Sequence, residues 1–196
     1  MPLKEDADVG NERNRVEGGQ ARSDTVIVQG LRKVYPSRGL EPVKVAVRDL
    51  SLGIPPRECF GFLGVNGAGK TTTLSILSGD IRPTSGEAYI NGHSVLQKLP
   101  AAQKHIGYCP QFDPLLDLMT AREHLHMYAN LKGVPEDDVK EVVNILVEAV
   151  GLQKYVDRVA GAYSGGNKRK LALAIALVSL PVYLSHYTSP KLILFL

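Results

Sequence analysis

The sequence contains no tryptophan and only two cysteines, and aromatic residues make up 6% of it. Cys59 and Cys109 stand in apolar stretches without C-x-x-C spacing. That excludes a disulfide framework or a zinc ribbon and reads as two reduced core thiols, so a cytosolic environment follows. A formal net charge of +3 is too small to argue for a nucleic-acid or membrane-binding surface. The longest apolar run, Leu171–Leu184, is broken by Ser179 and Pro181 and is shorter than the roughly 18 residues of a membrane helix, so no spanning segment is expected. The charged N-terminus lacks the apolar stretch of a signal peptide. One further absence governs the functional reading: from Arg158 to Leu196 there is neither Asp nor Glu.

What is present is globular. The chain has 196 residues, 44% hydrophobic and 22% charged, enough for one domain with a core. Residues 1–23 are polar and of mixed charge and read as a solvated linker or frayed arm. "TVIVQGLRKVY" predicts a strand, and "VKVAVRDLSLGI" one or two more. The short apolar run "ECFGFLGV" suits a buried strand. "GKTTTLSILSGD" predicts a helix ended by Gly79, and "GEAYING" and "HIGYCPQ" predict further strands. After Gln111 the texture becomes helical. Thr120 and Glu123 form a capping-box pattern. Pro135 and the acids Glu136, Asp137 and Asp138 open a helix whose Val139, Val142, Val143, Leu146, Val147 and Val150 recur at helical spacing before Gly151. "SGGNKRKLALAIALVSL" is a glycine turn feeding an Ala-rich helix.

The strongest motif is Gly64-Val65-Asn66-Gly67-Ala68-Gly69-Lys70-Thr71, which fits G-x-x-x-x-G-K-[ST] between a predicted strand and a helix. Glycines allow a tight nest of inward N–H groups, and the following helix adds its positive N-terminal end. Lys70 supplies a point charge for β and γ phosphates, and the Thr71 hydroxyl, with Thr72 beside it, suits Mg²⁺. This is a phosphate cradle shared by kinases, GTPases, helicases and transport motors, and alone it names no function.

Three further stretches separate those classes. "YSGGNKRK", at 163–170, resembles the signature motif of ATP-binding cassette (ABC) proteins, usually LSGGQ, with Tyr163 at the Leu position and Asn167 at the Gln position. "YCPQFD" places Gln111 where the family's Q-loop glutamine stands, and Tyr35 in "LRKVYP" resembles the aromatic residue that stacks on adenine. With "IPPRECFG", these stretches resemble the A subfamily, which moves lipids, over about residues 5 to 181; Arg57 stands where a glycine is usual.

The resemblance implies an α/β fold: a P-loop NTPase, ABC-type ATPase core with an N-terminal antiparallel β part and a helical insert at about 112–163, incomplete at the C-terminus. It implies a partial nucleotide-binding domain over 24–181 and a non-family tail over 182–196. ATP and Mg²⁺ are the implied cofactors. Tyr35, Gly64, Asn66, Gly67, Ala68, Gly69, Lys70, Thr71, Thr72 and Gln111 would hold nucleotide, and Thr71 and Gln111 the metal. Ser164, Gly165 and Gly166 would close over the γ-phosphate held by a second nucleotide-binding domain in a head-to-tail dimer. The other implied partner is the transporter's transmembrane domains, which places the parent protein's domain at the cytoplasmic face of a membrane; no nucleic-acid partner is implied.

The pattern stops after "LVSLP". Where the family carries the Walker B Asp and the catalytic Glu, Ser185 and His186 follow Val182-Tyr183-Leu184, and the switch histidine's context is absent too. The tail reads as substituted sequence, such as a retained intron, a frameshift or a gene-model error, and "KLILFL" as an exposed apolar segment of a poorly soluble chain. Three functions compete: a motor-domain fragment of a lipid-type transporter; a non-catalytic binding or regulatory fragment, or a non-functional product; and an unrelated P-loop enzyme, which leaves "YSGGNKRK" unexplained. His124 and His126, two apart on a helix, are not a metal pair. Lys168, Arg169 and Lys170 read as a solvated face, with phosphate steering as the alternative.

Overall fold

The structure, a computed structural model, describes residues 6–37, 39, 42–58 and 60–178 and the backbone of a strand at 192–195. Cys59 and the tail positions 182–191 lie outside the described residues. The chain divides into two compact units, residues 1–105 with 190–192 and residues 106–189 with 193–196.

The first unit contains α1 (Ala7–Glu17), β1 (Val26–Tyr35), β2 (Lys44–Ile54), α2 (Lys70–Ser78), β3 (Ser85–Ile90), β4 (His93–Ser94) and α3 (Leu99–Gln103). The strands form an antiparallel sheet in the order β2-β1-β3-β4. The β-branched and aliphatic residues of β1 alternate as strand geometry requires, and Val26, Val28 and Leu31 are buried with Ala88 and Ile90 of β3. Along β1 and β2 the register runs Lys33↔Val47 and then Val34↔Val45, so Ala46 is an extra residue in β2. Such a bulge re-aims the backbone locally.

Residues 7–17, expected as a solvated or frayed arm, form helix α1 against β2 and β1. Only Val16 of this helix is buried, so apolar packing does not explain its docking. Charged groups do. Glu12 Oε1 accepts the Gly53 N–H at 2.7 Å, and Arg15 Nη2 donates to the Gly53 carbonyl at 3.2 Å and to Asp24 Oδ2 at 2.8 Å. Arg15 Nε also donates to Glu12 Oε2 at 2.8 Å. Because β2 is an edge strand, two side chains here satisfy backbone groups that a further strand would otherwise pair.

Residues 60–65, expected as a buried strand, are irregular, and Leu63 and Val65 are 90% and 79% exposed. A central strand is stabilised by partners on its edges. Among the described residues, no segment pairs with this one.

The second unit contains β5 (Ile106–Cys109), α4 (Ala121–Leu131), α5 (Glu136–Ala149), a 3₁₀ turn (Ala160–Ala162), α6 (Gly165–Val178) and all but the first residue of β6 (Leu192–Phe195). Its core joins Leu125, Val142, Val143, Leu146, Leu152 and Leu171. The apolar stripe of α5 is buried as its spacing predicts, and Gly151 follows in the left-handed region at φ 66°. The capping box of α4 is formed: Thr120 Oγ1 accepts the Glu123 N–H at 3.2 Å, and Glu123 Oε2 accepts the Thr120 N–H at 2.7 Å. β5 lies beside α6, where a Cβ at Gly107 would collide with the Ala176 carbonyl. The backbone of residues 192–195, within the "KLILFL" stretch, forms the strand beside β5.

Candidate functional site

In the first unit the candidate site is the glycine loop that precedes α2. Gly67 and Gly69 have φ of 86° and 93°, a region closed to most side chains. At Gly69 a Cβ would also meet the carbonyl of Ala46, the bulged residue of β2, so glycine is required there twice over. The Ala68 N–H donates to the Val65 carbonyl at 3.1 Å and closes the turn. Helix α2 then starts at Lys70 with Gly69 as its N-cap and no side chain capping its first amides. Uncapped amides and the helix dipole favour negative charge at this end.

Lys70 folds back into the loop it serves. Its Nζ donates to the Gly64 carbonyl at 2.6 Å and to the Val65 carbonyl at 3.0 Å. The buried Thr73 hydroxyl donates to the Gly69 carbonyl at 3.0 Å and so belongs to the helix. Thr71 is exposed and Thr72 half-buried. Asn66, Gly67 and Ala68 line the exposed rim. The loop, Lys70 and Thr71 are therefore together, as the motif requires.

Tyr35 ends β1, opposite Lys44, and is 37% exposed. The Lys33 ammonium lies 5.1 Å from the centre of its ring.

The second unit holds the remaining candidates. Gln111 is exposed just after β5. Its backbone is held by Arg169 of α6, whose Nη1 donates to the Pro110 carbonyl and lies 3.5 Å from the Gln111 carbonyl and 3.3 Å from Asp113 Oδ1. Arg169 is thus partnered although still partly exposed, Lys168 pairs with Asp117 at 3.3 Å, and Lys170 is exposed. No local pattern marks Arg169, because its partners lie 56 to 59 residues away. Ser164, Gly165 and Gly166 are exposed at the start of α6, and Ser164 Oγ accepts the Asn167 N–H at 3.4 Å.

Tyr163, at the signature's Leu position, is buried. Its hydroxyl donates to the Tyr155 carbonyl at 2.6 Å, its ring meets that of Tyr155 edge-on, and burial pushes its phenol pKa up. Cys109 is a buried free thiol, pushed up by the same cause. His124 is fully buried, and its ring partners are the Leu116 N–H and the Thr120 carbonyl. Among the described residues no cluster of His, Cys, Asp or Glu suits a metal, and no helix is long and apolar enough to cross a membrane.

Residues 47–184 match the ABC transporter family. The chain is 52% identical over 183 residues to ATP-binding cassette sub-family A member 2 of Rattus norvegicus, an alignment covering 93% of this chain and 8% of that protein. It is 49% identical over 177 residues to the retinal-specific phospholipid-transporting ATPase ABCA4 of Bos taurus, covering 90% of this chain and 8% of the relative. The chain therefore spans about 8% of the length of these relatives. Among solved structures, cbiO1 from Clostridium perfringens, part of the transporter complex cbiONQ, superposes with a TM-score of 0.71 at 20% identity, covering 88% of this chain and 65% of that one. A dimeric post-hydrolysis state of the ATP-binding cassette MJ0796, bound to ADP and Pi, superposes with a TM-score of 0.69 at 24% identity over 79% of this chain and 69% of that one.

Proposed function

We propose, since this chain belongs to the ABC transporter family, that it is an ATP-binding piece of a lipid-moving transporter of the A subfamily and that its P-loop unit holds the nucleotide triphosphate. The observation that carries this is the seating of Lys70 Nζ inside the glycine loop, 2.6 Å from the Gly64 carbonyl, at the uncapped start of α2. The cation and the uncapped first turn of α2 thus belong to one short loop, an arrangement that suits a polyphosphate.

In this reading the amides of residues 64–72 take the phosphates, and Tyr35 takes the adenine. Mg²⁺ fits at the exposed Thr71 hydroxyl, because this ion keeps several waters and takes substrate phosphates in place of an all-protein cage. The exposed Ser164-Gly165-Gly166 turn would serve nucleotide held by a second nucleotide-binding domain, and MJ0796 is itself dimeric. Phe112, Leu116 and Leu118, which follow Gln111 in the sequence, are 82%, 52% and 90% exposed and suit contact with the transporter's membrane domains. Phospholipid as cargo follows from the name of the Bos taurus relative, and the cytoplasmic side of the membrane follows from where ATP is found.

A second reading, binding without turnover, is favoured by the missing acids between Arg158 and Leu196. Phosphoryl transfer to water needs a carboxylate near the metal and the attacking water. Equilibrium binding of radiolabelled ATP to the chain and to Lys70→Ala tests the first reading. Loss of about tenfold or more in affinity is expected, and equal binding would sink it. Turnover of ATP above background by the purified chain would rule out the second reading.

A further inference from the structure

We infer that Lys33 is a positioning and specificity residue for the nucleobase, holding the Tyr35 ring from one side and strengthening its stacking; this rests on the proposed ATP site. Lys33 and Tyr35 are two residues apart on β1, so their side chains leave the same face of the sheet. Val47, the cross-strand partner of Lys33, contacts the Gly69 position on that face, so this is the side on which the P-loop lies. The Lys33 ammonium lies 5.1 Å from the Tyr35 ring centre, within cation–π reach.

The ammonium is not free to wander. Nζ donates to the Arg82 carbonyl at 2.6 Å, and the adjoining Val34 N–H donates to Thr84 Oγ1 at 2.9 Å. The segment 82–84 therefore fixes both the lysine head and the backbone beside the tyrosine. A long, flexible side chain has been given one geometry, and the ring it faces is still 37% exposed. A cation held against the ring's π-system restricts the ring and draws its electron density, and both effects favour an electron-rich purine stacked on the exposed surface. Lys33 has no part in holding phosphate in this arrangement, because its charge is directed at the ring and the Arg82 carbonyl.

The test is calorimetric titration of the 196-residue chain with ATP and, separately, with inorganic tripolyphosphate. The variants are Lys33→Met, Lys33→Arg, Tyr35→Ala and the Lys33→Met/Tyr35→Ala double. Lys33→Met should weaken ATP by about two- to fivefold and leave tripolyphosphate unchanged. Lys33→Arg should restore ATP binding, since a guanidinium also sits on aromatic faces. In the Tyr35→Ala background the Lys33→Met change should have no further effect. Equal losses for ATP and tripolyphosphate would make Lys33 a general phosphate attractor and overturn the inference, as would unaltered ATP binding in Lys33→Met. Failure of the unsubstituted chain to bind ATP at all would overturn the nucleotide site itself, and this inference with it.

Discussion

The imidazole Nε2 of His124 accepts the backbone N–H of Leu116 at 2.9 Å, while Nδ1 of the same ring lies 2.8 Å from the Thr120 carbonyl. The pairing fixes the tautomer, with the proton on Nδ1. A fully buried ring thereby ties the stretch after Gln111 to the first turn of α4. The residue is structural, and its deletion should loosen a segment that carries a candidate site residue.

His124→Phe keeps the volume and removes the acceptor. It should cost about 1–3 kcal/mol, the penalty of leaving a part-buried donor unpaired. Chemical denaturation checks the stability, and faster hydrogen exchange at the Leu116 amide checks the mechanism. Unchanged exchange there would refute the assignment.

The docking of α1 should depend on acid pH. Arg15, by its hydrogen bond, holds the Glu12 carboxyl below the usual glutamate range; burial opposes this, and the Gly53 N–H adds to it. A lowered folded pKa means that the stabilisation is fully present above the unfolded value of about 4.3. It is lost as pH falls through the lower folded value. Glu12→Gln should flatten the stability profile in that acid window and leave the slope near neutrality unaltered. Stability profiles from urea melts at a series of pH values decide it.

Arg57 occupies the left-handed region at φ 64°. A side chain with a Cβ costs about 1–2 kcal/mol there, and glycine returns part of that gain through its greater freedom when unfolded. Arg57→Gly should therefore stabilise the chain by about 1 kcal/mol. A lower melting midpoint in the variant would contradict the strain argument.

Cys109 is fully buried, and desolvation pushes its thiol up, with Arg169 pulling the other way and Asp113 adding to the rise. The thiolate is the reactive form. Iodoacetamide at pH 8 should modify Cys109 far more slowly in the folded chain than in urea, as read by peptide mass spectrometry. Equal rates would mean that β5 and α6 do not stay packed.

The legible parts of this molecule were local. The P-loop, the capping box at Thr120 and Glu123, the stripe of α5 and the glycine ending α2 each lie within a few residues, and all are found. The illegible parts depend on distant partners. Helix α1 has a polar composition that reads as solvated, and it is held by Gly53, 38 residues from Arg15. Arg169 reads as one of three basic residues until the Pro110 carbonyl arrives beside it. The opposite error occurred at 60–65, where apolar content predicted burial but no described strand flanks the segment. The fixed placement of Lys33 against Tyr35 was not legible, because the anchor at Arg82 lies 49 residues from the lysine.

Helix α2 begins after Gly69 and ends before Gly79, at φ of 93° and 87°, and a Cβ at the first would meet the Ala46 carbonyl and at the second the Leu99 side chain. Every single-nucleotide missense change of a glycine codon introduces a Cβ. At these two positions every such change therefore places a Cβ in a backbone conformation that L side chains rarely adopt.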